Sequence, residues 1–384
     1  MLKKRPVWML ALPIVALVSL AGGVLLHPGL TNPPIRRANS ESIVVQWKRR
    51  ADHPVCITMS PKGSSFATVG RDGTVSFYNK DGRELWKRRV AGANNALIAK
   101  NGQSVLVYSK LNPLYQTVSF FLGNGRLLWK HHVDGGVWCG AVSPDGTRVA
   151  VTTGKRYIYV YRPDPRRPKF KRWQLEGIGH SVAFSPNNRR LMIGTWQESQ
   201  LACYNTDGTF QWKTQHNTEN QYNLQASADG ATIMGILPGK QSNPEIELGL
   251  WNSEGEQLWA RKINGFDGRA LVSPTSQYVA ASFATALPGD SNMIERKVAV
   301  YKNNGDLLWE KGGLFFGPRL VALSPTGSSV ICWDGANSLY NINSKGKMLS
   351  KMKFGGAIDK IVTSEDGHII LVYCKGWLYA LHVG

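Results

Sequence analysis

An all-β chain, closed into an eight-bladed β-propeller and preceded by one transmembrane helix, is the fold this sequence predicts. Three observations carry it. A unit of about 44 residues recurs along most of the chain. Each unit holds two turn signatures separated by alternating apolar stretches. The one long uncharged run, Pro6 to Leu26, lies at the amino terminus behind Lys3, Lys4 and Arg5.

The amino-terminal run comes first. Its 21 residues at about 1.5 Å each in a helix span roughly 30 Å, one hydrocarbon thickness. The basic cluster before it favours a cytoplasmic amino terminus with the rest of the chain outside. Residues 1–26 therefore read as a signal anchor. Residues 27–42, with Pro28, Pro33 and Pro34, read as a linker, and 43–384 as the propeller. The expected location is the cytoplasmic membrane, single-pass, with the propeller on the extracytoplasmic side. Ser19-Leu20-Ala21 also fits a small-x-small cleavage pattern, and cleavage there would release the protein.

The first turn signature recurs eight times, as in Ser60-Pro61-Lys62-Gly63, Ser143-Pro144-Asp145-Gly146, Ser324-Pro325-Thr326-Gly327 and Ser364-Glu365-Asp366-Gly367. Pro at the second place presets φ, and Gly or Asn at the fourth tolerates a positive φ, so each is a tight β-turn. The second signature is a Gly turn with a Trp four residues later: Gly82/Trp86, Gly125/Trp129, Gly208/Trp212, Gly255/Trp259 and Gly305/Trp309. Trp173 holds the place without its Gly, and in the seventh unit Ser350 replaces the Trp. From Trp86 to Ser350, six units cover 264 residues, which sets the period at 44. Alternating strands such as Tyr157-Ile158-Tyr159-Val160-Tyr161 lie between the signatures. Each unit thus reads as strands a, b, c and d, one propeller blade.

The eighth unit stops after its third strand, Trp377 to Leu381. Ile43-Val44-Val45-Gln46-Trp47-Lys48 has the pattern of Thr209-Phe210-Gln211-Trp212-Lys213, so it is expected to supply the missing strand and close the ring. Trp47, Trp86, Trp129, Trp173, Trp212, Trp259 and Trp309 are the expected blade-packing wedges. Seven blades is the alternative, if the second or fifth unit is a loop.

The Gly-x-x-x-Trp recurrence resembles the tryptophan-docking motif of PQQ-like propellers, a fold shared by quinoprotein dehydrogenases and a bacterial outer-membrane assembly lipoprotein. The Ser-Pro-Asp-Gly turn is similar to that of WD-repeat propellers. The resemblance covers residues 43–384. It implies a fold that hosts many functions, a quinoprotein-like oxidoreductase among them. The sequence also departs from both patterns. Strand c ends in Tyr78-Asn79, Tyr204-Asn205 and Trp251-Asn252, where a WD-repeat has Trp-Asp. No two of the five cysteines are adjacent, where a PQQ dehydrogenase would have a pair beside its cofactor. No cofactor is expected.

Chemistry-bearing residues are sparse. The eight histidines show no metal-ligand spacing with Cys or carboxylates, and no catalytic or metal-ligating residue stands out. Charge says more. The chain carries +20, of which +7 lies in residues 1–50. Such an excess favours anionic neighbours. Arg166, Arg167, Lys169, Lys171 and Arg172 replace the tight c–d turn of the third unit with a basic stretch, a candidate contact for an anionic surface. The b–c insertions 237–247 and 284–297 exceed the repeat, and extra loop length is where function concentrates. Glu245, Glu247, Asp290 and Glu295 in them are candidate partner contacts. The sequence thus reads as an anchored interaction module rather than an enzyme. It would bind a protein or an anionic envelope polymer, with nucleic acid disfavoured. A quinoprotein-like oxidoreductase and a polyanion-binding surface protein are the alternatives.

Overall fold

The computed structural model describes residues 30–31 and 42–384, apart from 113, 163–168, 186, 197–199, 216–222, 228–230, 238–243, 253, 255, 288–289 and 313–318. The expected anchor, 1–26, lies outside the described residues. Among the described residues no helix is long and apolar enough to cross a membrane.

The ring has eight antiparallel sheets. Seven are four-stranded and run consecutively over residues 56–89, 95–132, 137–174, 178–215, 223–264, 266–311 and 319–353. Units two and five are complete blades, so the seven-blade alternative falls. Blade 8 takes strands a to c from 358–383 and its strand d from Ile43–Arg50. Ile43 lies opposite Val383, Trp47 opposite Ala380 and Arg50 opposite Trp377. The chain's two ends therefore meet inside one sheet.

The linker departs from expectation. Read as a plain linker, residues 27–42 would enter strand d at Ile43 from the face that carries the a–b and c–d turns. Instead Leu30–Thr31 forms a fifth strand on blade 8, antiparallel to strand d, with Leu30 opposite Arg49 and Thr31 opposite Lys48. An outer strand presents unpaired backbone groups, and this short segment covers some of them. Leu30 consequently stands at the d–a end of the strand, on the opposite face of the ring.

Each blade buries its apolar residues against its neighbours. Eight buried clusters form, one at each junction. The recurring Ser of the a–b turn has a definite task. Its Oγ accepts a hydrogen bond from the backbone N–H five residues on in seven blades, at 2.8–3.1 Å. That satisfies a buried amide at the start of strand b.

Candidate interaction surfaces

The wedge tryptophans stand at the junctions. Five of them reach not their own turn but the c–d turn of the next blade. Trp47 of blade 8 donates its indole N–H to Lys80 O at 3.0 Å, Trp86 to Gly123 O at 3.0 Å, and Trp259 to Asn303 O at 2.8 Å. A Cβ on Gly82 would stand 3.1 Å from the Trp47 ring, and one on Gly125 2.8 Å from Trp86. Trp173 and Trp309 stand likewise beside Gly208 and Gly346. Gly and Trp of one motif therefore serve different junctions. Trp212 packs at the junction of blades 4 and 5. Trp129 faces blade 3, whose c–d connection lacks the Gly turn, and stacks on Tyr161 at 4.8 Å.

Two cations that follow a wedge Trp, Arg49 and Arg261, are structural. Arg49 donates to Gly82 O at 2.6 Å and lies over the Tyr78 ring at 4.4 Å. Arg261 repeats this with Gly305 O at 2.9 Å and the Tyr301 ring at 5.3 Å. Two places after the Trp, the guanidinium thus caps the neighbour's turn. In blade 2 His131 takes that place, with Nδ1 2.9 Å from Tyr161 Oη. Burial and the adjacent His132 hold the His131 pKa below its ordinary value.

The basic stretch of blade 3 is divided. Arg166 and Arg167 lie outside the described residues. Lys169–Gln174 is strand d, not loop. Alternation sends neighbours to opposite faces. Phe170 and Arg172 pair with Tyr161 and Tyr159 on the blade 2 side, while Lys169 and Lys171 point toward blade 4. Arg172 is occupied by Asp134 and lies over Tyr157 at 4.6 Å. Only Lys169 and Lys171 of the described set share one face.

The acidic candidates are also largely engaged. Glu245 pairs with Lys262 at 2.8 Å, and Glu247 lies opposite Lys262 across strands c and d. Glu295 is 3.8 Å from Lys297, which also holds Glu310 at 3.0 Å. Asp290 heads strand c of blade 6. The insertion there is not a loop. Tyr278–Leu287 and Asp290–Lys302 form one long hairpin. Strand a pairs with it only as far as Ala284 and strand d only as far as Val298, so its tip overhangs the b–c/d–a face.

The central channel opens on that same face. In blades 3, 4, 6, 7 and 8 the innermost strand carries a register shift near its start. Such bulges re-aim side chains, and Trp138 and His180 meet here at 6.4 Å. Arg269, Asp359 and Lys360 are exposed although they lie on innermost strands, which places them at the channel. Between blades 8 and 1 a cleft of about 400 Å³ is lined by Arg50, His53, Arg71, Asp72 and Lys87. Its charges are mixed.

All five cysteines are free. Burial pushes the thiol pKa of Cys139 and Cys203 up to about 11 and of Cys332 to about 12. Among the described residues no three His, Cys, Asp or Glu side chains are grouped to hold a metal ion.

A family model, WD domain, G-beta repeat, matches residues 48–79. That segment runs from the closing strand of blade 8 through strand c of blade 1. No curated protein matches the chain in sequence. Solved structures match over most of its length. Sqt1 of Saccharomyces cerevisiae is 10% identical, with 90% of this chain and 100% of that one covered at a TM-score of 0.66. BamB of Moraxella catarrhalis, a PQQ-like propeller, is 13% identical, with 89% and 100% covered and a TM-score of 0.62. Hydrazine synthase of Kuenenia stuttgartiensis is 14% identical, with 86% and 96% covered and a TM-score of 0.55. At such identities the likeness shows the fold alone. The protein is an eight-bladed β-propeller that carries a WD-type repeat where its two ends meet.

Proposed function

We propose that the protein is a membrane-anchored, extracytoplasmic scaffold that holds a protein partner on the b–c/d–a face of its ring. The overhanging hairpin of blade 6 carries this reading. It extends beyond the sheet it belongs to, and Ile294 on it is 45% exposed. Burial within the ring does not account for that length, whereas a partner surface does. WD-type propellers generally serve as protein-interaction scaffolds, which agrees. Residues 6–26 supply the anchor in this reading. Leu30 then brings the chain out beside Arg49, so the b–c/d–a face is the one nearer the bilayer and the partner is a component at the membrane surface.

The test is affinity capture from cross-linked membranes, comparing wild type with a variant in which 285–297 is replaced by Asn-Gly. The expected result is membrane-bound protein in both cases, equal melting temperatures, and partner recovery only with wild type. Equal recovery would overturn the proposed face. Recovery of the full-length chain in the carbonate-soluble fraction would overturn the anchor.

A further inference from the structure

The innermost strands of a propeller line its channel, so their charges decide what the channel admits. Only two carboxylates lie on these strands, Asp267 and Asp359. Asp267 is held by Arg296 at 2.7 Å. Against them stand Arg269, Arg319 and Lys360, on the innermost strands of blades 6, 7 and 8. A fourth cation joins them. Lys110 follows strand b of blade 2 and bridges to Val137, the first residue of the innermost strand of blade 3. None of these four has a carboxylate partner among the described residues; Arg319 lies over the Trp333 ring at 5.3 Å. Lys110 and Arg319 stand at the b–c/d–a end of their strands, with Lys360 third of six residues and Arg269 fourth of seven from that end. Two of them act on neighbouring blades. Lys110 acts on Cys56, Cys139 and His180, and Lys360 acts on Cys56. Deeper in, the same strands carry the half-buried Ile57, Leu97, Val182, Leu271, Val321 and Ile361.

From this arrangement we infer that the channel mouth seats an acidic, partly apolar peptide segment of the partner, its carboxylates held by Lys110, Arg269, Arg319 and Lys360. The inference rests on the scaffold reading and names the partner's chemistry. Four cations without carboxylate partners, beside apolar side chains half-buried at the blade junctions, complement a chain that alternates carboxylates with apolar side chains. A nucleic acid would instead need a basic groove that tracks its backbone and aromatic platforms for its bases. Among the described residues the mouth shows Trp138 and, under Arg319, Trp333, on separate blades.

Fluorescence anisotropy of the full-length chain in non-ionic detergent tests this, with a short labelled peptide alternating Glu and Leu as the probe. The same peptide with Lys for Glu, and oligo(dT), serve as comparisons. The expected result is binding of the Glu peptide alone, weakened about tenfold or more by Lys110→Glu with Lys360→Glu. Lys169→Glu with Lys171→Glu, on the outer wall, should leave it unchanged. Should the charge-reversed mouth unfold, Lys110→Gln with Lys360→Gln should still weaken binding while keeping the wild-type melting curve. Equal weakening by the outer-wall pair, no binding of the Glu peptide, or oligo(dT) binding that depends on the mouth would each overturn the inference. The hairpin-shortened variant separates the two readings. If it loses partner capture yet keeps the Glu peptide, both stand. If wild type captures its partner but ignores the Glu peptide, only the mouth assignment fails.

Discussion

At the scale of single residues, the junction between blades is a small set of polar contacts inside an apolar stack. Trp129 is 4% exposed and lies between Phe120 at 5.4 Å and Tyr161 at 4.8 Å. Trp129→Ala should lower unfolding free energy by about 3–5 kcal/mol, read by denaturant melts. Gly82 has φ near +79° with the Trp47 ring against it, so Gly82→Ala should cost about 1–3 kcal/mol. His131 adds a pH dependence. Its folded-state pKa lies below the ordinary value of 6.5, so below that pH the unfolded chain binds the proton first. The stability it contributes is complete above about 6.5 and falls as pH drops toward the folded-state value. His131→Gln should flatten that part of the stability–pH curve; an unchanged slope would remove His131 from it. The Gly and Trp positions were legible in the sequence because they repeat. Their division between two junctions was not, since spacing along a chain does not say which blade a side chain meets.

At the scale of elements, strand alternation reorganises what a run of letters suggests. The basic stretch of blade 3 reads as one cluster only while it is taken for a loop. As strand d it places Arg172 on Asp134 and the lysines on the other face. Glu245 and Glu247 of blade 5 likewise turn out to face Lys262 across strands, a pairing that depends on register and is not written in either segment alone. The long hairpin of blade 6 was visible as extra length, but not as paired strands. Buried cysteines on several blades give a chemical measure of blade packing. At pH 8 a thiol reagent should react fully with all five only after denaturation. In the native protein Cys203 and Cys332 should remain unmodified. Their rapid native labelling would mean that the junctions of blades 4 and 5 or 6 and 7 are open.

At the scale of the whole molecule, the ring has a single seam. Five wedge Trp dock on the c–d turn of the following blade, and blade 8 has no such turn, because its strand c is 377–383 and its strand d 43–50. Ser350 stands in blade 7 where the other blades have Trp. The one unit without the residue precedes the one blade whose strands c and d are not joined by a turn. The period of 44 and the unfinished eighth unit made the closure readable in advance. The backward run of Leu30–Thr31 along Lys48 and Arg49 was not, because two residues carry no pattern. The most direct measurement compares the thermal unfolding of a chain beginning at residue 42 with one beginning at residue 51. The shorter chain lacks strand d of blade 8, and its transition should lose cooperativity or fall by about 10 °C or more. Superimposable melting curves would contradict a ring closed by that strand.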